Sequence, residues 1–256
     1  LTFGKDGETA TVGGETILVG GDVFFQRSTS AQTLTTGGGD LNIYGETIVA
    51  NTNGLTINTS NGDVTLHGLL NSGNQYTFVS TADNATWTNA RTNAQSGSYG
   101  DAEGDSYLVT ITSRLENSIA GLTANYQSAW IGAFRDRSSD EDTTLWYWAD
   151  GPEAGEHFFT QSDRSTVEGY YSNFDSGEPN GTGSSGEGFG QFVGGEGLWN
   201  DLPDTGSSNP TFTVKGYVRE TNLAPSPVTI NAGAGGLEIS GGVGTSKPLA
   251  SLIVTS

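Results

Sequence analysis

Oxygen-bearing side chains are concentrated between residues 178 and 201 of the sequence. They belong to Glu178, Asn180, Glu187, Asn200 and Asp201, and none of them offers sulfur or imidazole. Hard cations prefer oxygen ligands, and loops that supply several oxygens suit calcium, which accepts about 6–8 of them in a loose geometry. Five ligands from the chain would leave about two or three coordination positions open. The sequence therefore predicts a calcium ion with room for an external ligand.

The composition excludes several other kinds of chemistry. The 256 residues include no cysteine and only two histidines, which argues against disulfides, thiol catalysis and Cys- or His-based metal sites. Asp and Glu number 29 against 10 Lys and Arg, for a net charge of −19. A chain this acidic repels phosphate backbones and anionic lipid, so we expect no nucleic-acid partner. No apolar run reaches the roughly 20 residues of a membrane span, so we expect no membrane insertion.

The two ends of the chain share one pattern of short alternating apolar segments between Gly and Asn turns. Leu-Thr-Ile-Asn (55–58) returns as Val-Thr-Ile-Asn (228–231), and Val-Thr-Leu-His-Gly (64–68) returns as Leu-Glu-Ile-Ser-Gly (237–241). Alternation of this kind predicts short β-strands. Repeats of one strand pattern indicate stacked coils of a β-solenoid, with a β-sandwich split between the two ends as the alternative.

The middle of the chain differs from both ends in composition and in predicted secondary structure. It holds all five Trp residues and two segments with helical character, at 86–95 and 113–122. The second opens on Ser113 and Glu116, a capping-box pattern. Helices followed by strands and long loops predict an α+β domain inserted into the β-rich scaffold. We place the scaffold at residues 1–74 and 222–256 and the inserted domain at residues 75–221.

The inserted segment resembles a C-type lectin-like domain. The motifs that carry the resemblance occur in family order and are Tyr-Thr-Phe-Val (76–79), Trp-Thr-Asn-Ala (87–90), Tyr-Leu-Val-Thr-Ile (107–111), Ser-Arg-Leu-Glu-Asn (113–117), Trp-Ile-Gly (130–132), Trp-Tyr-Trp-Ala-Asp-Gly (146–151), Glu-Pro-Asn (178–180) and Trp-Asn-Asp (199–201). Each motif is weak alone, but their common order is specific. The sequence departs from the family in lacking its usual cysteines and in carrying Gly181 and Gly188 where acidic residues are common.

The resemblance implies that calcium is held by Glu178, Asn180, Glu187, Asn200 and Asp201. It also implies a cis peptide before Pro179 and a sugar that presents two vicinal hydroxyls to the ion. Glu178, Asn180, Glu187 and Asn200 would also hydrogen-bond those hydroxyls, and the order Glu then Asn resembles mannose-, glucose- and fucose-type binders. A second calcium would use Asp136 and Asp140 with Glu187, although a run of acids such as 136–142 is more often a solvated loop.

The scaffold segments resemble, less specifically, the repeats of large bacterial surface adhesins. This resemblance implies a piece of a longer, multidomain, exported chain at the bacterial cell surface that attaches to glycans or polysaccharides, for adhesion or biofilm formation. The function we predict is therefore a non-enzymatic, calcium-dependent lectin module. The alternatives are a protein- or ice-binding module of the same fold and a polysaccharide-degrading β-solenoid enzyme.

Overall fold

A computed structural model describes residues 2–3, 9–12, 16–19, 21–96, 105–135, 145–181, 186–193 and 197–255. The chain divides into two compact units. The scaffold unit combines Leu1–Gln75 with Asn222–Ser256, and the central unit is Tyr76–Thr221. In sequence, the central unit is thus an insertion into the scaffold unit.

The first part of the scaffold unit is built from short strands. They are β1 (Thr2–Phe3), β2 (Thr9–Val12), β3 (Thr16–Val19), β4 (Asp22–Phe25), β5 (Gln32–Thr35), β6 (Leu41–Ile43), β7 (Thr47–Val49), β8 (Leu55–Asn58), β9 (Val64–Leu66) and β10 (Leu70–Ser72). Gly and Asn turns between the segments limit each of them to two to four residues.

The central unit contains the helices. Its elements are β11 (Gln75–Ser80), α1 (Trp87–Ser96), β12 (Ser106–Leu108), α2 (Arg114–Thr123), β13 (Ala129–Arg135), β14 (Leu145–Trp148), β15 (His157–Thr160), β16 (Ser165–Thr166), β17 (Phe189–Val193), β18 (Leu198–Leu202), a 3₁₀ turn at Pro210–Phe212 and β19 (Gly216–Thr221). The described strands form one mixed sheet, ordered β11-β19-β13-β14-β15-β16, with β17 joining β13 to β18 and β12 on β19. Both predicted helices are present, and the strand-and-helix mixture is of the α+β kind.

The chain re-enters the scaffold unit with β20 (Pro227–Asn231), β21 (Leu237–Ile239) and β22 (Ser251–Thr255). Segments that share a sequence pattern lie side by side in register and in parallel. Val228 faces Leu55 and Leu237 faces Val64. Within the first part, partners such as Leu41 and Val64 lie 23 residues apart. The scaffold therefore stacks successive repeats of the chain, with an antiparallel β2–β3–β4 arrangement before them.

The alternation of apolar and polar residues within each scaffold strand explains which of its residues form the core. In β8, Leu55 and Ile57 are buried while Thr56 and Asn58 are partly exposed. The equivalent Val228 and Ile230 of β20 are also buried and belong to the same apolar cluster. Each repeat thus buries its apolar residues against its neighbours, since side chains at alternate positions point to the same face.

Aromatic residues dominate the core of the central unit. Trp130, Trp146, Trp148 and Trp199 have no solvent exposure, as expected from their positions in strands. The Trp199 ring meets Trp148 edge-on with centroids 5.9 Å apart. Packing of this kind fixes β18, which carries Trp199, and with it the two residues that follow in the strand.

The start of α2 differs in detail from the predicted capping box. The Ser113 side chain accepts a hydrogen bond from the Glu116 N–H at 3.1 Å, as expected. The Glu116 carboxylate, however, accepts from the N–H of Thr112 at 2.7 Å, one residue before the N-cap. Glu116 is thereby held at the helix start as a partly buried carboxylate.

No helix in the described part of the chain is long and apolar enough to cross a membrane.

Candidate metal centre

The predicted ligands lie on two neighbouring pieces of the central unit. Glu178 and Asn180 occupy the loop between β16 and β17, and Glu187 lies two residues before β17. Asn200 and Asp201 lie within β18, which pairs with β17 along its length. Both β18 residues are buried, Asp201 completely. The pairing of β17 with β18 therefore brings residues from both ends of the 178–201 segment to one place.

The Asp201 carboxylate joins the loop to the strand. One of its oxygens accepts a hydrogen bond from the Asn180 N–H and the other from the Gly181 N–H, each at 2.9 Å. The Asp175 N–H, donating to the Trp199 carbonyl at 2.8 Å, makes a further link. The peptide bond between Glu178 and Pro179 is cis, as predicted, and Pro179 is buried. Two backbone N–H groups therefore hold the Asp201 carboxylate in place, and each of its oxygens keeps a lone pair that can bind a cation.

Glu178 lies in an environment that disfavours its negative charge. Burial raises the pKa of Glu178 to about 7, and the nearby carboxylates of Asp201 and Glu187 push it in the same direction. Its Oε2 atom is buried and has no hydrogen-bond partner among the described residues. A buried carboxylate oxygen without a donor, beside two other acids, is an unfavourable arrangement that a cation would relieve.

The donor set fits a hard cation such as calcium, because it consists of carboxylate and amide oxygens. Within the described ranges no three His, Asp or Glu side chains form a metal cluster by themselves, so the amides of Asn180 and Asn200 would have to contribute. Hydrogen bonds and electrostatic interactions link four of the predicted ligands, which are Glu178, Asn180, Asp201 and Glu187. No hydrogen bond described here joins the Asn200 side chain to that group. Asp136 and Asp140, the predicted second site, lie outside the described residues.

Two arginines that the sequence analysis did not single out hold the backbone of the site. Arg135 of β13 donates to the Glu187 carbonyl at 2.5 Å and to the Gln161 side chain at 2.7 Å. Arg164 donates to the Glu178 carbonyl at 2.9 Å. Each guanidinium thus binds the main-chain carbonyl of a predicted ligand. The only feature of the sequence that could have drawn attention to these arginines is that basic residues are scarce, with 10 Lys and Arg among 256 residues.

Arg135 also explains why residue 181 is a glycine. Gly181 has a φ of +63°, a conformation that side chains rarely adopt. A Cβ atom there would lie 2.8 Å from the Arg135 guanidinium. A side chain at residue 181 would therefore meet both an unfavourable backbone conformation and the arginine that holds Glu187.

A second acidic group in the central unit was also missed. The Thr110 hydroxyl contacts both Glu153, at 2.9 Å, and Glu220, at 3.3 Å. The Tyr76 hydroxyl lies 3.4 Å from the Glu116 carboxylate. Burial raises the pKa of Glu116, and the charge of Glu153 adds to the effect. The nearest two of these glutamates, Glu116 and Glu153, are 37 residues apart, so the capping-box pattern that includes Glu116 could not reveal the group.

Comparison with known proteins gives partial similarities. No family model matches the chain. Halomucin of Haloquadratum walsbyi is 37% identical over 110 residues, which are 42% of this chain and 1% of halomucin. The chain therefore corresponds to a very small part of that relative.

Several solved structures are similar to about three fifths of the chain. The C-type lectin CEL-I from Cucumaria echinata is 22% identical, with a TM-score of 0.39, over 59% of this chain and 91% of CEL-I. The mouse scavenger receptor C-type lectin carbohydrate-recognition domain is 24% identical, with a TM-score of 0.38, over 59% of this chain and 92% of that domain. A Ca²⁺-dependent type II antifreeze protein in its Ca²⁺-free form is 18% identical, with a TM-score of 0.38, over 59% of this chain and 93% of that protein.

Proposed function

We propose that the central unit is a C-type lectin-like domain that binds carbohydrate through a calcium ion and is not an enzyme. One observation carries the proposal: Asp201 fastens the Glu178–Asn180 loop to β18, so that a buried, donor-free Glu178 oxygen is held beside two further carboxylates. A cation satisfies that arrangement, and a sugar hydroxyl can complete the cation's shell.

The bound ion would be held by Glu178, Asn180, Glu187, Asn200 and Asp201. Calcium supplies an electrophilic centre to which two neighbouring sugar hydroxyls can bind. The residues of the chain orient the sugar: the Glu178 carboxylate only accepts hydrogen bonds, whereas the Asn180 amide can donate through its nitrogen. An acceptor followed by a donor sets the direction of the hydroxyl hydrogens. It is on this order that we propose mannose-, glucose- or fucose-type sugars.

We further propose that the scaffold unit is a β-solenoid within a longer, multidomain bacterial surface adhesin, whose partners are cell-surface glycans or polysaccharides. Parallel pairing of like segments 23 residues apart supports the solenoid, because such stacking lets each repeat bury its apolar face on the next. Single shallow sugar sites bind weakly, on the order of millimolar. Attachment would then depend on many copies acting together.

The proposal is tested by calcium titration and glycan binding. We expect calorimetry to show calcium uptake that Glu178→Gln reduces at least about tenfold, because one anionic ligand is lost. Glu168→Gln, which removes an exposed acid of the same loop region, should leave the affinity unchanged. Glycan binding should disappear in EDTA, and the double change Glu178→Gln with Asn180→Asp should shift preference toward galactose. Sugar binding that survives EDTA, or no calcium uptake, would overturn the proposal.

A further inference from the structure

Three asparagines in the chain are followed directly by a glycine: Asn53, Asn61 and Asn180. In an Asn-Gly pair the main-chain nitrogen of the glycine can attack the carbonyl carbon of the asparagine side chain, because glycine has no Cβ to obstruct the approach. The attack requires a peptide that can rotate and a nitrogen that is not engaged elsewhere. How the fold holds each pair therefore decides which asparagine is chemically labile.

The two pairs in the scaffold unit are held between stacked repeats. Gly54 and Gly62 are buried, and their N–H groups donate to main-chain carbonyls at 2.8 and 3.3 Å. The asparagine side chains are held as well, since Asn53 donates to a main-chain carbonyl at 2.9 Å and Asn61 accepts from a main-chain N–H at 3.0 Å. Both side-chain contacts reach a neighbouring repeat, so neither pair can react unless the stack opens.

The pair in the central unit is held by one side chain. Asn180 is exposed, and its N–H and that of Gly181 both donate to the Asp201 carboxylate at 2.9 Å. Because a hydrogen bond is directional, the Gly181 nitrogen cannot attack Asn180 while its N–H points at Asp201. Asp201 therefore blocks the reaction in the conformation that the structure shows.

The charges around this pair oppose that conformation when no cation is present. The Glu178 carboxylate interacts with those of Asp201 and Glu187, and like charges repel. Such repulsion pushes the loop at residues 178–181 away from β18, which carries Asp201. A cation shared by the carboxylates reverses the sign of the interaction and keeps the Gly181 N–H on Asp201. Occupancy of the candidate metal centre is thus coupled to the engagement of the Gly181 nitrogen.

We propose that Asn180 is a deamidation site that is protected while the candidate metal centre is occupied and reacts once the cation is lost. The inference rests on the proposed function and adds a regulation of the same site. The Gly181 nitrogen bonds to the side-chain carbonyl carbon of Asn180 and passes its proton, through solvent, to the side-chain nitrogen, which leaves as ammonia. Water then opens the cyclic imide at either carbonyl and leaves aspartate or isoaspartate at position 180. One water is consumed for each ammonia released.

The reaction removes a group that the proposed sugar site needs. The Asn180 amide can donate a hydrogen bond to a sugar hydroxyl, whereas an ionised carboxylate can only accept. Isoaspartate also lengthens the main chain by one carbon before Gly181, so the two N–H groups no longer match the oxygens of Asp201. A period without calcium is thereby converted into a permanent loss of sugar binding.

The test follows deamidation of the full chain by peptide mass spectrometry at neutral pH, in calcium, in EDTA and in urea. Urea gives the unconstrained rate of each Asn-Gly pair. In EDTA we expect Asn180 to approach that rate, while Asn53 and Asn61 stay at least about tenfold below theirs, because their hydrogen bonds must break first. Calcium should slow Asn180 at least about tenfold, because it preserves two hydrogen bonds to a charged acceptor.

Variants test the role of Asp201 and the effect on binding. Asp201→Asn should remove the protection that calcium gives to Asn180, and Asp105→Asn, at an exposed position, is the matched control that should keep it. Wild-type protein that has been incubated in EDTA and returned to calcium should lose glycan binding in proportion to the conversion at Asn180. Glycan binding that survives full conversion would refute the proposed regulation.

The outcomes separate this inference from the proposed function. If calorimetry shows calcium uptake but Asn180 reacts no faster in EDTA than in calcium, the inference is refuted and the lectin function stands. Parallel conversion at Asn117, which is buried in α2, would show that the whole central unit opens, and would refute control by the loop. If calorimetry shows no calcium uptake, the proposed function fails, and the inference fails with it.

Discussion

At the scale of single residues, the acids and the arginines of the candidate site have different roles. Glu178 and Glu187 contribute carboxylates, while Arg164 and Arg135 hold the main-chain carbonyls of those same residues. The guanidinium fork can donate several hydrogen bonds in a fixed plane, which a lysine cannot. The arginines therefore hold the main chain at two of the predicted ligands.

We predict that Arg135→Lys weakens calcium binding. The ammonium group cannot keep both the Gln161 and the Glu187 hydrogen bonds in the guanidinium geometry, so Glu187 loses its support. The loss of one charge-assisted hydrogen bond, about 1.5–3 kcal/mol, predicts at least a tenfold rise in the calcium Kd. Calorimetry measures it, with Arg114→Lys at an exposed position as the matched control. Equal affinities for the two variants would show that Arg135 has no positioning role.

The sequence could predict the acids of this site but not the residues that support them. Glu178, Asn180 and Asp201 belong to short motifs in which residue type and order carry the information. Arg135 and Arg164 stand outside those motifs, and their role depends on how β13 and the loop after β15 come to face residues 178 and 187. Such tertiary contacts are not encoded by local spacing.

At the scale of elements, repetition is the most informative signal. Like segments such as 55–58 and 228–231 pair in register although 169 residues separate them, because the inserted unit leaves the repeat pattern intact. The strands and their core positions could therefore be predicted from alternation and repeats. The antiparallel strands β2 and β3 follow no repeat, and alternation alone cannot give the direction of pairing.

The first turn of α2 gives a prediction about pH. Because burial raises the pKa of Glu116 above its ordinary value of 4.5, the folded state binds this proton more tightly than the unfolded state does. The stabilisation is therefore fully present below pH 4.5 and is lost as the pH rises through the raised value. In EDTA, the free energy of unfolding should fall with rising pH over this window.

Denaturant titrations at a series of pH values measure this dependence, and Glu116→Gln should make it shallower. The amide keeps an oxygen that can accept from Thr112, so the variant should still fold. Glu168→Gln, at an exposed acid, serves as the control and should leave the slope unchanged. A slope that is the same in the wild type and in Glu116→Gln would show that another group carries the pH dependence.

At the scale of the whole molecule, charge is the dominant feature. The net charge of −19 arises from 29 acids and 10 bases, so most carboxylates have no basic partner available. The described residues include ion pairs such as Arg91 with Asp150 and Lys215 with Asp83, each at 2.8 Å. The Lys215–Asp83 pair is exposed and contributes about 0–1 kcal/mol, and two such pairs are too few to offset the repulsion among the remaining acids.

We therefore predict that salt stabilises this protein. Raising sodium chloride from 0.01 to 1 M shortens the Debye length from about 30 Å to about 3 Å, which screens repulsion between carboxylates that do not touch. The midpoint of thermal unfolding in EDTA should rise steadily over that range, and potassium chloride should act in the same way because screening depends on ionic strength. A variant in which the exposed acids Asp105, Glu168 and Glu238 are replaced by amides should start from a higher midpoint and respond less steeply. A midpoint that falls with added salt would mean that attractive ion pairs outweigh the repulsion, contrary to the excess of acids over bases.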